Sequence, residues 1–258
     1  MEIGVQFFTL REFCKDLQGL SESLKKVADI GYKNVQLSGT CDFDGEWMAE
    51  ELKKSGLRCV VTHTPKEQLL GDLNKVVANH NAFNCENIGL GYYKFGREDD
   101  SDYKEFFETY KPVAEGIKAR GSVFNYHCHN SEFKRLSDGK LVIEHIMEDF
   151  PADELRLIPD TFWIQAGGAD PAACLKKLAG RIPNIHLKDY RLRPWMETKF
   201  SNYFAPIGEG NINFERVFAA AEEAGTEYML VEQDNCYGED PFECLKRSYD
   251  YLTAQGFH

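Results

Sequence analysis

Residues suited to metal binding and acid–base chemistry recur at the ends of short apolar runs of this sequence. Four of the seven histidines and several carboxylates share that position. Charges buried together at one edge cost several kcal/mol each unless they are paired or bound to a cation. Carboxylates with neutral histidines suit Mn²⁺, Zn²⁺, Co²⁺ or Mg²⁺, and mixed nitrogen and oxygen ligands favour the transition metals. One divalent metal is therefore predicted near the polar strand-end residues Gln6, Gln36, His63, Tyr92, His127, His129, Glu132, Asp160, Trp163, Gln165, His186, Lys188, Asp189, Glu232 and Asp234.

The elements that position these residues alternate regularly. Helical apolar spacing, often closed by a glycine, separates one apolar run from the next. Strictly alternating strands and helices indicate a parallel sheet with helices outside, and eight units match a (β/α)₈ TIM barrel, whose site lies at the carboxyl ends of the strands. The predicted strands are Ile3–Phe8, Val35–Leu37, Cys59–Thr62, Asn87–Leu90, Val123–Tyr126, Leu155–Pro159, Ile185–Leu187 and Tyr228–Val231.

The rival fold, an open doubly wound sheet, requires a glycine-rich loop after the first strand, and this chain has Phe7-Phe8-Thr9-Leu10-Arg11 there. No linker or break in composition interrupts the 258 residues, so a single domain over 1–258 is predicted. A glycine turn at 208–211 follows the seventh strand and is expected to border the site.

Charge and composition exclude several classes of function. The net charge of −12 disfavours phosphate backbones and anionic membrane surfaces, so neither nucleic acid nor membrane is an expected partner. Eight cysteines without a Cys-x-x-Cys pair, and an amino terminus unlike a signal peptide, predict reduced thiols and a cytoplasmic location.

Five motifs together resemble the sugar phosphate isomerase/epimerase family of the xylose isomerase-like TIM barrel superfamily. They are His-x-His-x-x-Glu-Phe at 127–133, Asp160 with Trp163 and Gln165, His-Leu-Lys-Asp at 186–189, Gly-Glu-Gly-Asn at 208–211 and Val-Glu-Gln-Asp at 231–234. The resemblance implies one divalent metal held by residues after the fifth to eighth strands. Asp160, His186 and Glu232 match three of those ligands.

The fourth ligand is open. The family pattern places a glutamate at the end of the fifth strand, where this sequence has His127. Glu132 lies five residues further on and is the favoured ligand, because it preserves a set of three carboxylates and one imidazole. His127 and His129 are the alternatives.

The resemblance also implies carbonyl chemistry on a keto sugar or a sugar derivative. A bound metal polarises the carbonyl and stabilises an enediolate while a carboxylate removes the neighbouring proton. We assign Glu232 as the base, Glu132 or His129 as the group that returns the proton, and Lys188 as a partner of developing oxyanion charge. Lys188 has the alternative of an ion pair with Asp160 or Asp189. The expected substrate-binding residues are Gln6, Gln36, His63, His127, Trp163 and Gln165.

These residues predict a metal-dependent sugar isomerase or epimerase, with two alternatives. One is a lyase of the inosose dehydratase or 3-keto-glycoside eliminase kind, which shares the first step. The other is a sugar-binding barrel without catalysis, which the presence of Asp160, His186 and Glu232 disfavours. Exposed aromatic residues after the seventh strand (Trp195, Phe200, Tyr203 and Phe204) predict a dimer or tetramer, or else a lid over the site.

Overall fold

A computed structural model describes residues 1–196 and 199–258, with the side chain of Trp195 outside the description. The described part contains ten strands. They are β1 (Glu2–Gln6), β2 (Asn34–Leu37), β3 (Arg58–Thr62), β4 (Asn87–Leu90), β5 (Val123–His127), β6 (Leu155–Ile158), β7 (Asn184–Leu187), β8 (Asp189–Met196), β9 (Lys199–Ala205) and β10 (Tyr228–Val231).

Eight of these strands form a parallel ring, and β8 and β9 form a separate hairpin. Parallel pairing runs in the order β3-β2-β1-β10-β7 and in the order β4-β5-β6. A parallel bridge between Asp160 and His186 joins β6 to β7, and Thr64 N–H donates to Gly89 O at 2.7 Å between β3 and β4. The predicted (β/α)₈ barrel and its eight strands are confirmed.

Helices surround the ring, and aspartate side chains cap most of the longer ones. Asp16, Asp44 and Asp240 each accept a hydrogen bond from the first turn of the helix that follows, which satisfies donors left free there. The helices are α1 (Leu17–Ile30), α2 (Gly45–Ser55), α3 (Lys66–Leu69), α4 (Leu73–Ala82), α5 (Ser101–Lys118), α6 (Val142–Asp149), α7 (Thr161–Ala166), α8 (Pro171–Lys177), α9 (Phe214–Glu223) and α10 (Pro241–Ala254).

Two parts of the chain depart from a simple alternation of one strand with one helix. The connection between β3 and β4 contains two helices, α3 and α4, because Asp72 caps the second helix by accepting from Asn74 N–H at 2.9 Å. The predicted first strand stops at Gln6, and a 3₁₀ turn over Phe7–Leu10 follows.

The β8–β9 hairpin extends the connection after β7 and packs against the barrel through aromatic rings. Phe204 contacts Phe162 at 4.9 Å between ring centroids, and Tyr203 stacks on Tyr237 at 3.4 Å. Leu192, Met196 and Phe200 remain more than half exposed. Two of the predicted aromatic residues thus pack within the chain, and the oligomer stays a prediction.

All eight cysteines are free thiols, six of them buried, as predicted. Among the described residues no helix is both long and apolar enough to cross a bilayer.

Candidate metal centre

Four buried side chains converge where β5, β6, β7 and β10 end. His127, Asp160, His186 and Glu232 each present one ligand atom, and these atoms lie within 4.8 Å of one another. His127 ends β5, Asp160 follows β6, His186 lies within β7 and Glu232 follows β10. The group unites residues up to 105 positions apart, because the carboxyl ends of the barrel strands meet at one rim.

The protein orients both histidines so that a lone pair faces this group. Gly91 O lies 3.1 Å from Nδ1 of His127 and takes that N–H, which leaves Nε2 as an acceptor 3.6 Å from Asp160 Oδ2. Gln36 Oε1 lies 2.6 Å from Nε2 of His186, so Nδ1 of His186 faces Glu232 Oε2 at 3.0 Å. A fixed tautomer with an outer hydrogen-bond partner is the usual arrangement of metal-binding histidines.

The four ligand atoms that face one another suit a divalent cation. His127 Nε2, Asp160 Oδ2, His186 Nδ1 and Glu232 Oε2 are buried, and within the described chain they have no partner apart from the Lys188 ammonium beside the two carboxylate oxygens. Buried acceptors that face each other and outnumber their donors are costly, and a cation between them removes that cost. The donor set of two imidazoles and two carboxylates fits Mn²⁺, Zn²⁺ or Co²⁺.

Lys188 supplies a positive charge beside the same carboxylates. Its Nζ lies 3.1 Å from Asp160 Oδ2, 3.0 Å from Glu232 Oε2 and 3.0 Å from Asp234 Oδ1. This is the ion pair with Asp160 that the sequence left open, extended to two further carboxylates. Burial opposes charge on Lys188, but the three carboxylates outweigh it and raise the pKa of Lys188.

The charges set the protonation of the neighbouring groups. Burial by itself raises the pKa of Asp160 and of Glu232, but the Lys188 ammonium and the contacts with His127 and His186 together outweigh burial and lower both values. Burial, together with the charge of Glu232, raises the pKa of Asp234 to about 6. Burial lowers the pKa of His186 to about 4 and that of His129 to about 3. Glu232 and Asp160 are therefore charged at neutral pH, while His129 and His186 are neutral.

Glu132 lies outside the group. Its Oε1 accepts from the Tyr126 hydroxyl, and its Oε2 accepts from His129 N–H at 3.0 Å and Ser131 Oγ at 2.9 Å. Both carboxylate oxygens of Glu132 therefore accept hydrogen bonds that stabilise the turn after β5. The structure brings His127, the alternative ligand, to the position that the sequence analysis favoured for Glu132.

Most of the predicted substrate-binding residues surround the centre. Gln6 donates to Glu232 Oε1 at 2.9 Å, and the ring of His63 stacks on His127 at 5.1 Å between centroids. His129 lies 5.1 Å from both Tyr92 and Trp163, also between centroids. Gln165 is exposed instead and donates to the Tyr190 hydroxyl at 3.0 Å, so its side chain contacts the base of the hairpin.

One residue of the site, Ser38, was missed by the sequence analysis. Ser38 Oγ lies 3.0 Å from Nδ1 of His63 and so orients that ring. Ser38 comes two positions after Gln36, and the two-residue period of a strand offered a signal for it. Phe204, one of the aromatic residues that the sequence offered as a lid over the site, lies on the hairpin with its ring centroid 5.8 Å from Lys188 Nζ.

The strands and this polar rim define a TIM barrel with a candidate metal centre at the carboxyl ends of its strands, and comparison with known proteins gives the family. The model of the xylose isomerase-like TIM barrel family matches residues 24–254, and the chain belongs to that family. Solved structures named as sugar phosphate isomerase/epimerase share its fold. That from Parabacteroides distasonis has a TM-score of 0.78 at 23% identity and covers 98% of this chain and 97% of its own.

Other relatives carry names of two reaction types. An inosose dehydratase from Clostridium beijerinckii is 26% identical over 90% of this chain and 80% of its own length. One from Mesomycoplasma hyopneumoniae strain J is 24% identical over 90% and 87%. A structure named L-ribulose 3-epimerase has a TM-score of 0.74 at 17% identity and covers 98% of this chain and 94% of its own.

Proposed function

We propose that this protein is a divalent-metal-dependent sugar isomerase or epimerase that removes a proton from the carbon next to a carbonyl group. The observation that carries the proposal is the convergence of four buried ligand atoms, of which the two imidazole nitrogens accept no hydrogen bond, beside a buried lysine. His127, Asp160, His186 and Glu232 would hold the ion. A divalent ion in that place polarises a carbonyl and stabilises negative charge on its oxygen.

The chain's own groups supply the rest of the reaction. Glu232 is charged, oriented by Gln6 and buried, so it is the favoured base for the carbon-bound proton. The Lys188 ammonium lies 3.0 Å from the same carboxylate and would stabilise the negative charge that develops on a substrate oxygen. Glu232, protonated in that first step, is the group that can return the proton to carbon, and the unpartnered Nδ1 of neutral His129, on the side of Trp163, is placed to hydrogen-bond a substrate hydroxyl. The hydrogen bonds of Glu132 favour a role in positioning His129.

Dehydration is the second candidate, and the names of the curated relatives favour it. Both enzymes described above are inosose dehydratases. A solved structure named as a probable 3-DHS dehydratase from Bacillus anthracis also shares the fold, with a TM-score of 0.73. The first step is the same proton removal, after which a hydroxyl on the next carbon leaves as water.

Hydrogen exchange tests the shared step and separates the two outcomes. Purified protein with Mn²⁺ is incubated in D₂O with L-ribulose, D-fructose or an inosose, and NMR follows deuterium entry beside the carbonyl. An isomerase or epimerase gives a deuterated product of unchanged composition, whereas a dehydratase gives a product that has lost one water. Protein treated with a chelator is the control. Absence of exchange in every sugar with metal-loaded protein would contradict the proposal.

A further inference from the structure

The substrate class can be narrowed further at the rim of the barrel, on the basis of the proposed function. We infer that the sugar is uncharged and carries no phosphate group. Three features of the described chain support this. A loop whose backbone N–H groups could bind an anion is already occupied by a side-chain carboxylate, and the buried lysine and arginine side chains already have partners. Several buried neutral polar atoms, in contrast, have no partner.

The cradle is the loop that follows the hairpin, at residues 207–212. In (β/α)₈ barrels a phosphate is often bound by loops after the last two strands of the ring. Here the backbone N–H groups of Gly208 and Gly210 donate to Asp189 Oδ2 at 3.1 and 2.8 Å, and Ile212 N–H donates to Asp189 Oδ1 at 3.2 Å. Backbone N–H groups that converge in this way form an anion site, and the carboxylate of Asp189 occupies it.

This loop lies so close to Asp189 that position 210 requires glycine. A Cβ atom at position 210 would lie 2.1 Å from Asp189 Oδ1. No space for a phosphate therefore remains between the loop and the carboxylate.

Buried cations give the second argument. Among the lysines and arginines of the described chain, only Lys188 and Arg181 are buried. Arg181 donates to Met147 O at 2.7 Å and Leu155 O at 3.2 Å, at the start of β6 and thus at the opposite end of the barrel. Lys188 already pairs with three carboxylates.

The charge balance at the rim extends this argument. The rim around Lys188 has three carboxylates, those of Asp160, Glu232 and Asp234, and one ammonium, that of Lys188. Their net charge of about −2 is neutralised by one divalent cation. A phosphate dianion placed there would meet no unpaired positive charge among the buried side chains of the described chain, and an uncompensated buried charge is strongly unfavourable.

The remaining polar atoms suit hydroxyl groups. Gln36 Nε2, His63 Nε2, His129 Nδ1 and Trp163 Nε1 are buried and unpartnered within the described chain. A hydroxyl both donates and accepts, so it satisfies either type of atom without adding charge. The rings of Tyr92, His129 and Trp163 follow one another at 5.1 Å and offer an apolar wall for the carbon face of a sugar.

Matched pairs of sugars test the inference. Deuterium exchange in the Mn²⁺-loaded protein is measured for D-fructose against D-fructose 6-phosphate and for D-ribulose against D-ribulose 5-phosphate. We expect kcat/KM for exchange to be at least tenfold higher for the neutral member of an active pair. Equal or faster exchange of the phosphate ester would overturn the inference and leave the proposed function intact.

A direct binding measurement decides the question even if no sugar in the pairs exchanges. Calorimetry with inorganic phosphate, on protein freed of metal by a chelator, is expected to show no saturable binding up to millimolar concentrations. Saturable binding would overturn the inference. Its absence, combined with absence of exchange, would support the inference and count against the proposed function for these sugars.

An isosteric variant tests the electrostatic cause. Asp234→Asn removes one negative charge from the rim, so the ratio of kcat/KM for the neutral sugar to that for its phosphate ester should fall severalfold. Asp138→Asn, at an exposed site that pairs with His145, should leave the ratio unchanged. A ratio that Asp234→Asn does not alter would contradict the charge argument.

Discussion

At the scale of single residues, Glu232 combines a position in the ligand group with the role of favoured base. Glu232→Gln keeps the shape of the side chain, but the amide neither accepts a proton from carbon nor binds a divalent cation well. We expect the loss of a positioned base alone to lower turnover by roughly 10²–10⁴-fold. Proton exchange in D₂O measures this, with circular dichroism as a check of folding. Asp234→Asn should cost much less, and wild-type exchange by Glu232→Gln would exclude the assigned base.

Lys188 occupies the neighbourhood in which a metal ion is expected, and its charge opposes metal binding. Two unit charges 4 Å apart interact by about 4 kcal/mol at an effective dielectric constant of about 20. Removing even part of the repulsion between Lys188 and the ion should therefore change the metal affinity substantially. Lys188→Met should therefore tighten Mn²⁺ binding by roughly tenfold or more, as measured by calorimetry or competition with a chelator.

The matched control for that change is Lys134→Met. Lys134 also pairs with a buried carboxylate, at 2.7 Å from Asp102 Oδ1, but outside the metal centre. Its variant should leave the Mn²⁺ affinity unchanged. Weaker binding in Lys188→Met would mean that the lysine orders the carboxylates more than it repels the ion.

The sequence predicts the residues of the site better than their contacts. Asp160, His186 and Glu232 come at the ends of apolar strands, so their position follows from the barrel itself. The position of the Glu132 carboxylate depends on a turn of three residues and on the hydrogen bonds that the carboxylate accepts from Tyr126 and Ser131. Such a turn has no periodicity, and the sequence therefore could not decide between Glu132 and His127.

At the scale of elements, His80 joins α4 to β3 and makes that junction sensitive to acid. Its Nδ1 lies 2.8 Å from Val76 O and its Nε2 lies 2.8 Å from Thr62 Oγ1. Burial lowers the pKa of His80 in the folded chain, although the bond to Val76 opposes the change. The unfolded chain has the ordinary value of about 6.5 and so binds the proton first as the pH falls.

His80 therefore contributes most to stability above pH ~6.5 and progressively less below it. Relative to His80→Gln, the wild-type free energy of unfolding should fall by up to ~1.4 kcal/mol per pH unit below that value. Urea unfolding of both proteins without metal, between pH 7.5 and 5, measures the difference. A difference that is constant with pH would show that His80 is not kept neutral by the fold.

Regular elements were predictable and their interruptions were not. Eight strands and most helices follow from apolar spacing and from glycine or aspartate at the helix ends. The β8–β9 hairpin has alternating but exposed side chains and contains Pro194, so its sequence resembles a loop. Its pairing becomes stable through contacts that are distant in sequence, such as Tyr203 with Tyr237.

At the scale of the whole molecule, the candidate metal centre ties one half of the barrel together. Its ligand atoms come from β5, from the residue after β6, from β7 and from the residue after β10. The bridge between Asp160 and His186 joins the two sets of paired strands that make up the barrel. Unfolding separates residues 127 and 232, so an ion bound to all four ligands binds the folded chain alone. Metal binding should therefore raise the stability of the entire barrel.

The size of that effect follows from mass action. At 100 to 1,000 times the dissociation constant, a ligand of the folded state adds about 2.7–4.1 kcal/mol. For a chain of this length each kcal/mol shifts Tm by about 2–4 °C, so Mn²⁺, Zn²⁺ or Co²⁺ should raise Tm by about 5–15 °C over chelator-treated protein. Asp160→Asn removes one ligand charge and should abolish most of the shift, while Asp138→Asn at the surface should preserve it. An unchanged Tm with all three metals, together with no metal in elemental analysis of protein purified without chelator, would contradict a metal centre, because four ligands from four strands cannot bind an ion without favouring the folded barrel.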